Sequence, residues 1–168
     1  MSADRPAPGS LSIRTCARVA AYRQLARQLP EPGDTVIEIG SAEGHTTQCL
    51  ARKAGRVIAV EKSAACVDIA RERCARHANV TWVNTDAFDL RDVQTHADRA
   101  DIVFIDIGGS SWAWLALKLA GMYRQMFQPR VMVIRNVGLN DFVCAVEGSE
   151  TQAPPGHWRM PGGSGEGE

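Results

Sequence analysis

Five short apolar runs along the middle of the chain constrain the fold more than any other feature of the sequence. Each run is rich in β-branched residues, and each is followed by a segment that contains turn residues or helical spacing. The runs occupy residues 35–40, 56–61, 80–84, 101–106 and 130–135. Continuous apolar runs of this length are typical of strands that are buried on both faces of a parallel sheet.

The segments between these runs have the spacing of helices, most clearly at 112–127, where apolar residues recur three and four positions apart. Alternating strands and helices predict an α/β fold with a doubly wound, mostly parallel sheet. With the five runs numbered in chain order, we expect the strand order 3-2-1-4-5. A helix over 11–29 is expected to pack on the first unit, and the segment 141–147 is a candidate for one extra edge strand. Few residues follow the fifth strand, so the C-terminal part of the sheet is predicted to be shortened.

The chain of 168 residues has the length of a single domain. Residues 1–10 and 148–168 are rich in Pro, Gly and Ser and are predicted to be disordered, which leaves a folded domain over 11–147. The 19 basic and 19 acidic residues cancel, so the overall charge does not favour a nucleic-acid or membrane partner.

The five cysteines show no metal-ligand spacing, and no apolar run is long enough to span a membrane. We therefore expect reduced thiols and a cytoplasmic protein without membrane contact. The arginine-rich, acid-poor start leaves a transit peptide as an alternative.

The turn after the first strand is the expected ligand site, because ligands of such sheets bind where the strand order reverses. Gly40 and Gly44 allow the backbone of this turn to approach a ligand closely. Glu38 lies near the place where a dinucleotide would put its pyrophosphate, and its carboxylate would repel that anion. Glu38, together with Ala42 in place of a fingerprint glycine, argues against an NAD-dependent oxidoreductase. The carboxylate of Glu38 instead favours a cationic ligand at this turn.

Two further acids follow the next strands. Glu61 ends the second strand, where a carboxylate can accept hydrogen bonds from both hydroxyls of an adenosine ribose. Asp86 follows the third strand and is placed to meet the adenine edge. S-adenosylmethionine fits this pattern, because it carries a sulfonium, an ammonium and a ribose but no phosphate.

The motif E-x-G-x-x-x-G at 38–44, followed by Glu61 and Asp86, resembles the class I methyltransferase family over about residues 34–138. The resemblance implies a Rossmann-like fold and a methyltransferase that uses S-adenosylmethionine. It also implies that Glu38, Gly40 and Gly44 line the methionine moiety, that Glu61 binds the ribose and that Asp86 and Ala87 hold the adenine. The candidate cofactor-binding set is completed by residues of the same strand-end turns, namely Ser41, Ala42, Thr46, Lys62 and Asp106.

Asp106, at the end of the fourth strand, is the candidate catalytic residue. It could orient a substrate or act as a general base, and the alternative is that it caps the following helix. This region is also similar to the catechol and caffeoyl-CoA O-methyltransferases, in which an Asp here and an Asp-Asn pair after strand five hold a metal. This chain has Arg135 and Asn136 instead, and an arginine would repel a cation, so we predict no metal.

The expected reaction is methyl transfer to an oxygen or nitrogen of a small molecule. RNA is an alternative substrate, suggested by the pairs Arg14 with Arg18 and Arg23 with Arg27, although this spacing more often marks a solvated helix face. A cofactor-binding scaffold without activity is a second alternative, and a homodimer is left open. Trp112 is expected in the core, whereas Trp114 lies off the apolar stripe and is a candidate for stacking on a planar substrate.

Overall fold

The computed structural model describes residues 11–109 and 112–149. The predicted disorder at 1–10 and over most of the tail lies outside the described residues. The strands are β1 (Ser12–Cys16), β2 (Thr35–Ile39), β3 (Arg56–Val60), β4 (Val80–Val83), β5 (Ile102–Ile105) and β6 (Val131–Arg135). The helices are α1 (Val19–Gln28), α2 (His45–Ala51), α3 (Ala64–Arg73), α4 (Leu90–Gln94), α5 (Ala113–Phe127) and α6 (Val137–Ser149).

The six strands form one parallel sheet in the order β1-β6-β5-β2-β3-β4. This differs from the predicted order, because a strand that the sequence did not predict is added at the edge beside β6. The chain runs outward from β2 to β4 and then returns to β5 on the other side of β2. The carboxyl ends of β2 and β5 are therefore neighbours, and the crevice of the sheet opens there.

Both predictions for the ends of the sheet were wrong. The expected helix over 11–29 is divided into strand β1 and helix α1, because Ser12–Cys16 pairs in register with Val131–Arg135. Pairing with an open strand edge outweighs the local helical spacing. The segment 141–147 lies in helix α6 and is not an edge strand, since β1 already occupies the edge of β6.

Helices cover both faces of the sheet and bury two apolar layers. Tyr22 of α1 and Leu50 of α2 pack with Phe104 on one face, and the Tyr22 ring meets the edge of the Phe104 ring at 5.3 Å between centroids. On the other face, α5 buries Leu119 and Phe127. No helix within residues 11–109 and 112–149 is long and apolar enough to cross a membrane.

Trp112 is not in the core, contrary to the prediction. It immediately precedes α5 and is 76% exposed, and Trp114 is 58% exposed. The helix turns a different stripe inward, which consists of Ala116, Leu119, Ala120, Tyr123 and Phe127. The cause is the helix start at Ala113, which leaves Trp112 outside the helical repeat.

Candidate functional site

A cavity of about 310 Å³ opens at the carboxyl ends of β2, β3, β4 and β5. Its volume lies at the lower end of the range for small-molecule sites. The lining residues come from four strand-end turns and from α5: Gly40, Ala42, Val60, Glu61, Lys62, Thr85, Asp86, Ala87, Phe88, Asp106, Ile107, Gly108, Leu115 and Leu119.

Gly40 permits the close approach of the β2 and β5 ends. Its φ is +77°, and a Cβ at this position would lie 2.0 Å from the backbone oxygen of Asp106. The Gly40 N–H donates to the carbonyl oxygen of Val60 at 2.9 Å, which fixes the turn against β3. No residue with a side chain fits here without moving β5, so the floor of the cavity depends on this glycine.

Glu61 is held at the cavity wall between two turns. Its Oε2 accepts from the N–H of Ala42 at 3.0 Å, and its Oε1 accepts from the N–H of Ser63 at 2.9 Å. An ionised carboxylate offers about four acceptor sites, so each oxygen retains capacity for a ligand donor. The backbone thus presents a carboxylate of fixed orientation to whatever occupies the cavity.

The turn after β4 is fixed from both ends. Asp86 Oδ1 accepts from the N–H of Phe88 at 2.9 Å, and the Tyr123 hydroxyl donates to the carbonyl oxygen of Ala87 at 3.0 Å. Lys118 places its Nζ 5.3 Å from the centroid of the Phe88 ring. The segment from Asp86 to Phe88 therefore contributes both polar groups and an apolar ring to the cavity wall.

Glu38 lies behind the glycine turn and does not line the cavity. Its side chain is buried, and its Oε2 accepts from the Thr47 hydroxyl at 2.5 Å. Burial is the main reason that the pKa of Glu38 is raised to about 8; the Thr47 hydrogen bond opposes this shift and the nearby charge of Asp106 adds to it. The carboxyl is therefore largely protonated at neutral pH.

The raised pKa of Glu38 predicts a loss of stability as pH rises. The ordinary value is 4.5, so between 4.5 and about 8 the folded chain holds a proton that the unfolded chain releases. The free energy of unfolding of the wild type should fall by on the order of 1–3 kcal/mol from pH 5 to pH 8. Glu38→Gln, which mimics the protonated acid, should show a shallower fall than the exposed control Glu72→Gln in urea titrations at both pH values. Equal pH slopes for the two variants would contradict the assignment.

Asp106 is paired with Arg135 in a two-point contact. Arg135 Nε donates to Oδ2 at 2.5 Å and its Nη2 donates to Oδ1 at 2.7 Å. Oδ1 also accepts from the N–H of Gly108 at 3.3 Å. Asp106 does not cap α5, which begins at Ala113. Both of its carboxylate oxygens are thus engaged by the guanidinium, a strong charge-assisted arrangement.

Arg135 fills the space in front of the turn after β5. A Cβ at Gly109 would lie 2.1 Å from Arg135 Nη1, so the guanidinium packs directly on that glycine. Among residues 11–109 and 112–149, no group of three or more His, Cys, Asp or Glu side chains could hold a metal ion. The metal-independence of the site stays a prediction.

The structure brings most of the predicted cofactor-binding residues to the cavity wall: Gly40, Ala42, Glu61, Lys62, Asp86, Ala87 and Asp106. Four others lie beside or behind the turn after β2 and do not line the cavity: Glu38, Ser41, Gly44 and Thr46. Gly44 precedes α2 with a φ of +78°. The assignment of all eleven to a cofactor stays a prediction.

Sequence reasoning missed several residues of the cavity wall: Val60, Thr85, Phe88, Ile107, Gly108, Leu115 and Leu119. The first five flank the strand-end acids, and their position at strand ends was a usable signal. Leu115 and Leu119 come from α5, and only the packing of that helix on the sheet shows that they reach the cavity.

Residues 36–126, more than half of the chain, match the family model described as a methyltransferase domain. The chain belongs to this methyltransferase family. S-adenosylmethionine is the cofactor of the family.

Curated relatives of this chain match it over short segments. The rRNA adenine N-6-methyltransferase of Bacillus licheniformis is 42% identical over 57 residues, which are 34% of this chain and 20% of the relative. The demethylmenaquinone methyltransferase of Tropheryma whipplei is 36% identical over 50 residues, 30% of this chain and 21% of the relative. The matched segments thus span about a fifth of the length of these relatives.

A solved structure with a similar fold is that of a fibrillarin/Nop5p complex. It aligns with a TM-score of 0.60 and 18% identity, over 80% of this chain and 69% of that one. At this identity the likeness concerns the fold alone. It agrees with an α/β Rossmann-like methyltransferase architecture for the described sheet and helices.

Proposed function

We propose that this chain is an S-adenosylmethionine-dependent methyltransferase that acts on an oxygen or nitrogen of a small molecule without a metal. The observation that carries the proposal is the Glu61 carboxylate, which backbone N–H groups of two turns hold at the wall of the cavity. A carboxylate at the end of β3, where Glu61 lies, is suited to accept hydrogen bonds from the two vicinal hydroxyls of a ribose.

The cavity fits the chemistry of the cofactor. It is lined by three carboxylates, those of Glu61, Asp86 and Asp106, and by apolar side chains that include Val60 and Leu119. Acidic groups favour a cationic ligand and disfavour a pyrophosphate. Glu61 would bind the ribose, and the segment from Asp86 to Phe88 would hold the adenine between a polar edge and an apolar ring.

When bound, S-adenosylmethionine supplies an activated methyl group for in-line attack by the acceptor atom. The chain contributes proximity and alignment, which are large effects when the reacting atoms are held in place. We assign Asp106 to orientation of the acceptor, because both of its oxygens already accept hydrogen bonds from Arg135. Ile107, Gly108 and Leu115 line the cavity together with Asp106.

The names of the relatives support two classes of acceptor. One relative is named for rRNA adenine and another for demethylmenaquinone, so RNA is the second candidate substrate. A protein that binds the cofactor without transferring a methyl group is a third candidate, favoured by the engagement of Asp106 with Arg135. Neither the names of the relatives nor the Asp106–Arg135 pair changes the assignment of S-adenosylmethionine as the cofactor.

Titration calorimetry with S-adenosylmethionine, S-adenosylhomocysteine and NAD tests the cofactor step. We expect binding of the first two ligands and none of NAD. Transfer of a labelled methyl group to a small-molecule extract and to purified total RNA, each with and without ribonuclease, then separates the substrate classes. Label that stays on the small-molecule fraction supports the proposal, and ribonuclease-sensitive label favours RNA. Binding of NAD alone would refute the assignment.

Methyl transfer is expected to survive the removal of divalent cations. The guanidinium of Arg135 lies on Asp106, and this positive charge would repel a metal ion at the same carboxylate. Turnover measured with excess EDTA should equal turnover in untreated buffer, and added magnesium should not change it. A loss of activity in EDTA that magnesium restores would show that a metal takes part.

A further inference from the structure

The outer side of strand β1 is an open edge of the sheet. The Ser12 N–H donates to the carbonyl oxygen of Arg130 at 2.9 Å, on the side of β6. Backbone groups of successive strand residues point to opposite sides, so those of Ile13 and Thr15 point away from β6. In the part of the chain that the structure describes, β1 ends the strand order and no strand pairs with this side.

Strand β1 has few of the features that protect an edge strand from pairing with another chain. Natural edge strands are commonly shielded by prolines, bulges or several charged side chains. The sequence of β1, SIRTC, contains no proline and one charged residue, Arg14, and it pairs with β6 in continuous register. Ile13, at the middle of the outer side, is 55% exposed. The edge is therefore open to pairing with a further strand.

An apolar groove adjoins this edge. It has a volume of about 610 Å³ and is lined by residues of β1, β6, α5 and α6, which include Ile13, Leu117 and Val143. Leu117 of α5 is 50% exposed, as is expected of a side chain at the surface of such a groove. Exposed apolar surface next to an open strand edge is typical of a protein–protein contact.

The groove also contains one basic and one acidic residue, Arg14 and Glu147. Neither forms an ion pair within the described chain. In a contact related by a two-fold axis, a residue of one copy that meets a second residue of the other copy does so twice. Opposite charges on one surface are therefore complementary to a second copy of the same surface.

We propose that a second copy of this chain binds at this face, with the two β1 strands antiparallel about a two-fold axis and the sheet continued across the contact. Arg14 of each copy then meets Glu147 of the other. An axis through Ile13 brings the two isoleucines together. It also keeps the two Arg14 side chains from lying directly opposite each other, which would be destabilising. This dimer does not depend on the reaction that the chain catalyses.

Sedimentation velocity of the full chain over a range of concentrations measures the dissociation constant of the dimer. We expect a species of twice the 18.2 kDa mass of one chain. Ile13→Lys places a charge at the middle of the open edge and should raise the dissociation constant at least about tenfold. Ile69→Lys is the matched control, because Ile69 is 43% exposed on α3, which connects β3 to β4 at the opposite end of the strand order.

Charge reversal tests the contact between Arg14 and Glu147. Arg14→Glu and Glu147→Arg should each raise the dissociation constant at least about tenfold, because each variant dimer then sets like charges against each other twice. An equal mixture of the two variants should dimerise with nearly the affinity of the wild type, since each copy supplies the charge that the other lacks. Melting temperatures establish that the variants are folded, and the mixture serves as the test if Ile13→Lys is not.

A wild-type chain that stays monomeric up to about 1 mM would overturn the proposal and would show that another segment or another partner covers the β1 edge. A dimer that Ile13→Lys and Ile69→Lys weaken equally would use a different face. A mixture of Arg14→Glu and Glu147→Arg that associates no better than either variant alone would also overturn the proposal.

Discussion

Replacing Glu61 by alanine is expected to raise the dissociation constant for S-adenosylmethionine at least about 100-fold. A carboxylate that accepts two ribose hydroxyls makes two charge-assisted hydrogen bonds, each worth roughly 1.5–3 kcal/mol. The structure fixes this carboxylate through the N–H groups of Ala42 and Ser63, so it is preorganised before a ligand arrives. Titration calorimetry measures the effect directly.

Glu61 also joins two turns, so the loss has to be separated from a loosened backbone. Glu61→Gln keeps an acceptor oxygen and removes the charge, and it should weaken binding less than the alanine variant. Glu72→Ala, at an exposed position on α3, is the control for the removal of a glutamate. Unchanged affinity in Glu61→Ala, with a wild-type melting temperature, would show that the ribose is bound elsewhere.

Gly40→Ala is expected to destabilise the fold by about 3 kcal/mol or more. Two costs combine, because φ is +77° and the added Cβ would lie 2.0 Å from the backbone oxygen of Asp106. A backbone oxygen cannot move aside as the end of a flexible side chain can. Relief requires separation of β2 from β5, which would also deform the cavity. Chemical denaturation gives the loss of stability, and calorimetry gives the accompanying loss of ligand binding.

Gly121→Ala is the matched control for this substitution. Gly121 lies within α5, and a Cβ there meets nothing within 4 Å. Alanine is a better helix residue than glycine by roughly 0.5–1 kcal/mol, so this variant should be slightly more stable than the wild type. If Gly40→Ala were as stable as Gly121→Ala, the packing of β2 on β5 would be looser than the structure indicates.

The inner part of the fold could be predicted from the sequence because its signals are local. A buried parallel strand requires a continuous apolar run, and the acids Glu61 and Asp86 stand where such runs end. The position of a residue at a strand end then places it at the crevice. The same reasoning was sufficient to place seven of the predicted residues on the cavity wall.

The edges of the fold could not be predicted in this way, because they depend on contacts between distant segments. The residues of β1 form a strand only because β6 offers an open edge. The same pairing moves the start of α1 to Val19, and Tyr22 of this helix packs against Phe104 of the sheet. The Asp106–Arg135 pair joins the ends of β5 and β6, which the predicted order already placed side by side, but the two-point contact itself depends on side-chain geometry.

The placement of β1 beside β6 has a consequence for the order in which the chain folds. Ser12 pairs with Val131, so β1 finds its partner only when β6 is available. Closing so long a loop costs entropy before any contact repays it. The five strands β2 to β6 can therefore assemble into a sheet first, and β1 and α1 then dock on its edge.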